Sequence, residues 1–303
     1  MRWEKQGLLF RAEKQFPWMA HHAAQPFAQR IENDLYRIYF TARDELNRSH
    51  VGWIEIDITR PFQVLRISEA PLLAPGAVGA FDDAGAMMSC LARQDGKQFL
   101  FYTGWSLRSS VPYHWCIGLA RQEGPGVHQK FGKLRGPIMD RCPEDPLLCA
   151  SPYVIVEEGR WRMWYLSGLT WSGDADHVTP SYDMRYAESK DGVNWSRTGL
   201  VVMRLRFDEL GFSRPSVISD GRTYRMWYSV RGQNRPYRLR YAYSEDGLSW
   251  TSNDDFANLE PSADGWDSEM IAYPHVFDHE HVRYMLYCGG GYGLTGFGLA
   301  VCA

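Results

Sequence analysis

Several familiar signatures are missing from this chain of 303 residues. No run of eighteen apolar residues occurs, so no membrane-spanning helix is read. The opening Met1-Arg2-Trp3-Glu4-Lys5 has no apolar stretch of the secretory kind. Six cysteines (Cys90, Cys116, Cys142, Cys149, Cys288, Cys302) are scattered without Cys-x-x-Cys spacing. That argues against a metal cluster and a disulfide framework, and points to a reducing cytoplasm. The net charge is −3 with no block of like charge, which speaks against nucleic acid or an anionic membrane as partner. No Ser-His-Asp, Walker or zinc motif is visible. The Gly289-Gly290-Gly291 run lacks the strand–helix context of a phosphate loop. No cofactor and no metal are therefore expected. No amphipathic helix of any length is found.

What is abundant is aromatic surface, with 12 Trp and 17 Tyr. Large strand side chains and platforms for sugar rings are both readings of it, for different residues. The aromatics recur in register. Trp161-Arg162-Met163-Trp164-Tyr165, then Tyr186-Ala187-Glu188-Ser189-Lys190-Asp191-Gly192-Val193-Asn194-Trp195, is answered by Tyr224-Arg225-Met226-Trp227-Tyr228, then Tyr241-Ala242-Tyr243-Ser244-Glu245-Asp246-Gly247-Leu248-Ser249-Trp250. Phe40, Tyr102, Tyr165, Tyr228 and Tyr287 stand in matching contexts, 62, 63, 63 and 59 residues apart. A fixed period of this kind signals a repeat architecture.

Each unit reads as four strands: an inner strand through Pro or a small residue, an alternating aromatic strand, a third strand and a short fourth. The Asp191-Gly192 and Asp246-Gly247 pairs supply the positive φ that tight turns need. Unit one runs from about His21 to Arg66. Unit two starts near Phe81, unit three near Ala150-Ser151-Pro152, and unit four near Ser213-Arg214-Pro215. Unit five runs from Trp266 to Ala300, and Trp3–Phe10 is expected to close the ring against it. Five four-stranded units in an all-β chain predict a single five-bladed β-propeller over 1–303, with antiparallel blades around a central funnel.

The Tyr-Ala-x-Ser-x-Asp-Gly-x-x-Trp element and the x-Pro inner strands resemble the five-bladed propeller superfamily of arabinanases, xylosidases, fructosidases, levansucrases and mannoside phosphorylases. More narrowly, the chain looks like glycosidase-like proteins found with surface-polysaccharide genes. That match rests on His22-Ala23-Ala24-Gln25-Pro26, Arg43-Asp44, Phe81-Asp82-Asp83-Ala84-Gly85, Ser213-Arg214-Pro215, Trp266-Asp267-Ser268-Glu269-Met270 leading to Tyr273-Pro274, and the Gly290–Ala300 tail. The resemblance implies a carbohydrate-active enzyme, a glycoside hydrolase or related glycosyl-transferring enzyme, with a small-molecule or oligosaccharide substrate in the funnel. Two departures stand out. The hydrolases usually place an Asp before the Pro of the first inner strand, where this chain has Gln25. They place a Glu acid on the third inner strand, where this chain has Cys149-Ala150-Ser151-Pro152. Some relatives hold an axial calcium ion, but no ring of inner-strand carboxylates is seen here. A non-catalytic sugar-binding propeller and an enzyme on a nucleotide-sugar or another small metabolite stay open as alternatives.

Glycoside cleavage generally uses two carboxyl groups across the scissile bond. Glu269 is the candidate acid and Asp83 the candidate base, with a structural role as the alternative for each; Asp82 and Asp267 read rather as caps of the turns entering their strands. His22 is a candidate acid or base, because an unperturbed imidazole titrates near neutrality, or else a buried ring bonded to backbone. Arg214, before Pro215, is a candidate anchor for a carboxylate, a phosphate or paired hydroxyls, or an ion-pair member. Gln25, Ser151, Asp267 and Tyr273 lie at inner-strand starts. Arg43-Asp44 ends a second strand and reads as a sugar-binding pair or a surface turn. Trp105, Tyr113, His114, Trp171 and Tyr292 are placed in loops, as stacking platforms or as rim cover.

Overall fold

The computed structural model describes residues 2–124, 130–173 and 178–302. Its strands pair antiparallel in successive groups of four. After β1 (Trp3–Phe10), the first group is β2 (His21–Glu32), β3 (Leu35–Arg43), β4 (Ser49–Asp57) and β5 (Val64–Ile67). Next come β6 (Gly85–Gln94), β7 (Lys97–Leu107), β8 (Tyr113–Glu123) and β9 (Lys130–Lys133). The third group is β10 (Cys149–Glu157), β11 (Arg160–Gly173), β12 (Val178–Ser189) and β13 (Trp195–Met203). The fourth is β14 (Glu209–Ser219), β15 (Tyr224–Gly232), β16 (Arg235–Ser244) and β17 (Thr251–Ser252). The last is β18 (Ala272–His279), β19 (Val282–Cys288) and β20 (Phe297–Cys302), completed by β1 from the other end of the chain. The fold is a β-propeller. Among the described residues, helix is confined to a turn at Asp254–Phe256 and another, α1, at Gly290–Gly293. Among the described residues, no helix is long and apolar enough to cross a membrane.

The groups stack face to face. Tyr102 and Phe101 of β7 share a core with Trp161 and Tyr165 of β11. Trp164 packs with Val217 and Tyr228 of the fourth group, and Trp227 with Tyr287 and Trp3. Leu286 and Phe297 pack with Ile38 and Phe40 of the first group. Every residue from Trp161 to Gly168 is therefore buried, on both strand faces, although the aromatic strand was expected to alternate. Neighbouring sheets cover both sides of the middle strands, so no face is left for water. Each sealed Trp buries roughly 150–250 Å², gross stabilisation on the order of 5 kcal/mol before entropy is counted.

The recurrent Ser-x-Asp-Gly-x-x-Trp element is a turn lock. Asp191 Oδ1 accepts from the Val193 and Asn194 amides, Ser189 Oγ from those of Asp191 and Gly192, and Trp195 Nε1 donates to the Gly192 carbonyl. Asp246 repeats this with Leu248 and Ser249, and Trp250 with Gly247. Both glycines sit at φ 72°, as the sequence predicted.

A second device aims side chains toward the centre. Gln25, Ser151, Arg214 and Tyr273, each preceding a proline of an inner strand, adopt φ of 54°, 48°, 43° and 56°. Each lies in a register break of its ladder. Non-glycine residues held there cost roughly 1–3 kcal/mol apiece, so their surroundings must fix them. The fixing bonds are visible: the Ser151 amide donates to Thr103 Oγ1 at 2.9 Å, that of Tyr273 to Ser229 Oγ at 2.9 Å, and that of Gln25 to Cys288 Sγ at 3.3 Å. Each acceptor belongs to the middle strand of an adjoining group.

Candidate functional site

Three of these residues, Gln25, Ser151 and Tyr273, open onto a cavity of about 390 Å³ to which all five groups contribute. Gln25, Ser151 and Ser213 come from inner strands, with Tyr273 beside them. Thr103, Arg43 and Arg231 come from middle strands, and Tyr113, Trp115, Tyr182 and Tyr237 from third strands. Tyr292 is added by α1, where its φ is 59°. One wall is Tyr113 stacked on Trp115, ring centres 4.4 Å apart and 16° from parallel. Another is Tyr237 with Tyr273 and Tyr292. Flat apolar faces with hydroxyls at their edges suit a ring that is apolar on its faces and polar at its rim.

Arg231 Nε donates to Tyr182 Oη at 3.2 Å, Nη2 donates to the Pro180 carbonyl, and the guanidinium lies 5.3 Å from the Tyr182 ring centre. Tyr182 and Tyr237 share a short hydroxyl–hydroxyl bond. Arg43 Nη1 donates to Asn47 Oδ1 at 2.9 Å. Burial lowers the Arg43 pKa. Beneath the cavity Arg214 is 3% exposed. Its Nη2 donates to the carbonyls of Pro26 at 2.8 Å and Ser89 at 3.1 Å, on the inner strands of two other groups. Its Nη1 has no partner among the described residues. Burial pulls its pKa down to about 10. None of the described lining residues is Asp or Glu.

Of the residues singled out in the sequence, Gln25, Arg43, Tyr113, Ser151 and Tyr273 meet in this cavity, with Tyr292. Others do not line it. Asp83 lies in the turn before β6, where Oδ2 accepts from the Gly79 amide at 3.0 Å. Glu269 is exposed before β18, with Oε2 close against Gly290 of α1, two residues from Tyr292. His22 has its Nδ1 2.6 Å from Nδ1 of His21. Burial first, then Arg43 and His21, bring its pKa down to about 4, so the ring is neutral at neutral pH.

Four expectations change. Asp267 is 2% exposed and takes bonds from Lys5 Nζ at 2.7 Å and Tyr287 Oη at 3.2 Å, so it braces the last group instead of facing a substrate. Asp82 does the same with Lys133 and Tyr102. Asp44 folds the β3–β4 loop: Oδ1 accepts from the Leu46 and Arg48 amides, Oδ2 from Arg48 Nε and His50 Nε2. Trp105, Tyr113, His114 and Trp171 lie on strands, not loops; Trp171 packs against the cavity-lining Tyr113, ring centres 5.2 Å apart. Trp115, Tyr182, Arg231 and Tyr237 were missed. Arg231 had a signal: it follows Tyr228 by three residues, as Arg43 follows Phe40.

Two clusters of metal-ligating groups lie outside the cavity lining among the described residues: His114, Cys116 and Asp140, and Asp34, His279 and Glu280. In the first, His114 Nε2 is 2.7 Å from Asp140 Oδ1. The Asp140 carboxyl sits well below its usual range, mainly through His114, while burial pushes the Cys116 thiol up. The trio is thus closed on itself as a neutral thiol, a carboxylate and a histidine.

No protein-family model matches the chain. Among solved structures it is similar to a glycoside hydrolase at TM-score 0.73 and 17% identity, covering 98% of this chain and 90% of that one. It is also similar to a thermostable family-43 glycoside hydrolase at TM-score 0.67 and 17% identity, covering 92% and 88%. At these identities the likeness shows the fold. In sequence it is 40% identical over 302 residues, 99% of each chain, to the uncharacterized protein Rv1502 of Mycobacterium tuberculosis (strain ATCC 25618 / H37Rv). With that identity over nearly the full length, the chain belongs to the family of that mycobacterial protein, built on the propeller fold of glycoside hydrolases.

Proposed function

We propose that the protein is a carbohydrate-active enzyme that takes a sugar or sugar conjugate into the central cavity of a closed five-bladed ring, one domain over 1–303. The β1–β20 ladder and the Gln25–Cys288 bond support closure. The observation that carries the reading is the cavity itself: aromatic walls and scattered hydroxyls, converging from every group, in a fold shared with glycoside hydrolases. Gln25, Arg43, Tyr113, Ser151 and Tyr273 are proposed to bind substrate. Glu269, at the edge beside α1, is the proposed acid, and Asp83 the proposed base. Six free thiols fit a reducing, cytoplasmic setting.

The test is release of reducing sugar from an oligosaccharide panel, together with tryptophan fluorescence to detect binding. Glu269→Gln should lower turnover about 10²–10⁴-fold, the usual worth of a general acid, with binding retained. A second reading, a sugar-binding propeller without turnover, is favoured by Gln25 and by the lack of carboxylates among the described lining residues. Binding without release in both forms would select it. If no sugar binds, both readings fall.

A further inference from the structure

Among the described residues, the charge lining the cavity is one-sided. Arg43 and Arg231 line it, and Arg214 lies beneath. Among the described residues, the partners found for these three cations are carbonyls, tyrosine hydroxyls and the Asn47 amide oxygen; none is a carboxylate. The tyrosines add no negative charge: burial pushes the phenols of Tyr113, Tyr237 and Tyr273 above their usual range. His22, kept neutral partly by Arg43, reports the same positive field. Elsewhere the chain pairs buried and half-buried arginines with carboxylates. Arg37 bonds Glu55 at 2.6 Å, and Arg197 bonds Asp145 at 3.1 Å. A desolvated cation without a counter-charge is costly, so an incoming anion is strongly favoured there.

We infer that the sugar taken into this cavity carries an anionic group, a carboxylate or a phosphate, gripped by Arg43 and Arg231. The inference rests on the carbohydrate reading for the sugar and on the arginines for the charge. The two arginines hold the same place in the repeat, at the ends of β3 and β15, so the fold presents them from two groups toward one centre. A planar guanidinium suits either oxyanion through parallel N–H donors. The tyrosine and tryptophan rings would hold the sugar face.

Titration calorimetry on the intact chain separates the two parts. The probes are uronic acids and sugar phosphates, each beside its neutral parent sugar, with inorganic phosphate as the sugar-free arm. The acidic member of at least one pair should bind about 10-fold or more tighter than its parent, and this preference should fade with added salt. Uronic acids winning identifies the carboxylate; sugar phosphates winning identifies the phosphate. Arg43→Gln should erase most of the preference of the acidic member over its neutral parent. Arg231→Lys, which keeps a charge but loses the fork, should weaken the acidic probe less than Arg231→Gln does. Equal affinities within every pair, a preference untouched in Arg43→Gln, or no binding of any acid would overturn the inference. Arginine-dependent binding of phosphate with no sugar bound would sustain the anion site and overturn the carbohydrate reading.

Discussion

Asp145 and Arg214 are both sealed from water, at 0% and 3% exposure, and they keep opposite company. Asp145 is surrounded. Tyr165 Oη donates to it at 2.9 Å, and Arg185 and Arg197 approach at 3.4 and 3.1 Å. The arrangement recurs twenty residues before the middle-strand tyrosine in two other groups, as Asp82 with Tyr102 and Lys133, and Asp267 with Tyr287 and Lys5. In the first group Phe40 stands where the tyrosine would be, packed on Phe10, Trp18 and Phe297, and Ala20 stands where the aspartate would be. Hydroxyl and carboxylate are absent together, as buried polar groups require. Arg214, by contrast, has two carbonyls and an unbonded Nη1. The buried aspartates are balanced within the fold, whereas among the described residues the cations near the axis have no carboxylate partner.

The comparison breaks most sharply at Asp145. Asp145→Ala should cost about 3–5 kcal/mol, because Arg185, Arg197 and the Tyr165 hydroxyl lose their common acceptor in a closed space. The urea midpoint measures this. A loss below about 1 kcal/mol would mean that the braces add little beyond packing.

The same logic explains what the sequence disclosed. The fold was legible because a residue's place in the repeat fixes its strand, and Asp191-Gly192 and Asp246-Gly247 mark the turns. Gln25, Arg43, Tyr113, Ser151 and Tyr273 were legible because strand starts and strand ends of successive groups meet at one cavity. Asp267 was misjudged because a carboxylate suggests a substrate contact, and its partner Lys5, from the far end of the chain, is brought to it only by the pairing of β1 with β20. Tyr182 and Tyr237 were missed because their face of the third strand is set by neighbouring groups. Arg231 needed only the repeat carried three residues further.

Acid should sharpen the contrast next. His275, stacked on Phe27 and 4% exposed, has its pKa pulled down to about 3 by burial first and then by Arg214. Its folded pKa lies below the unfolded value near 6.5, so the unfolded chain binds the proton first. The stabilisation is whole above about pH 6.5 and is lost as pH falls toward 3, amounting to about 3 kcal/mol by pH 4 for this residue. His22, with its pKa near 4, adds to the same slope between those limits. Urea midpoints over this range measure it, and His275→Phe, which keeps the ring against Phe27, should flatten the slope. An unchanged slope in that variant would assign the acid sensitivity to the carboxylates.

The smallest effect carries the opposite sign. Arg43 is charged, desolvated and bonded through Nη1 only to Asn47 on an exposed loop. Arg43→Met keeps the length of the aliphatic stem and removes the charge. If the site sacrifices stability to await an anion, this variant should be as stable as the parent, or more stable by up to about 1 kcal/mol, while the acidic ligand is lost. Adding that ligand to the parent should raise its thermal midpoint, and the variant should not respond. The outcome against the comparison is a variant less stable than the parent by more than about 1 kcal/mol without any ligand. Arg43 would then be a structural cation like Lys5 or Lys133, balanced by the fold it belongs to.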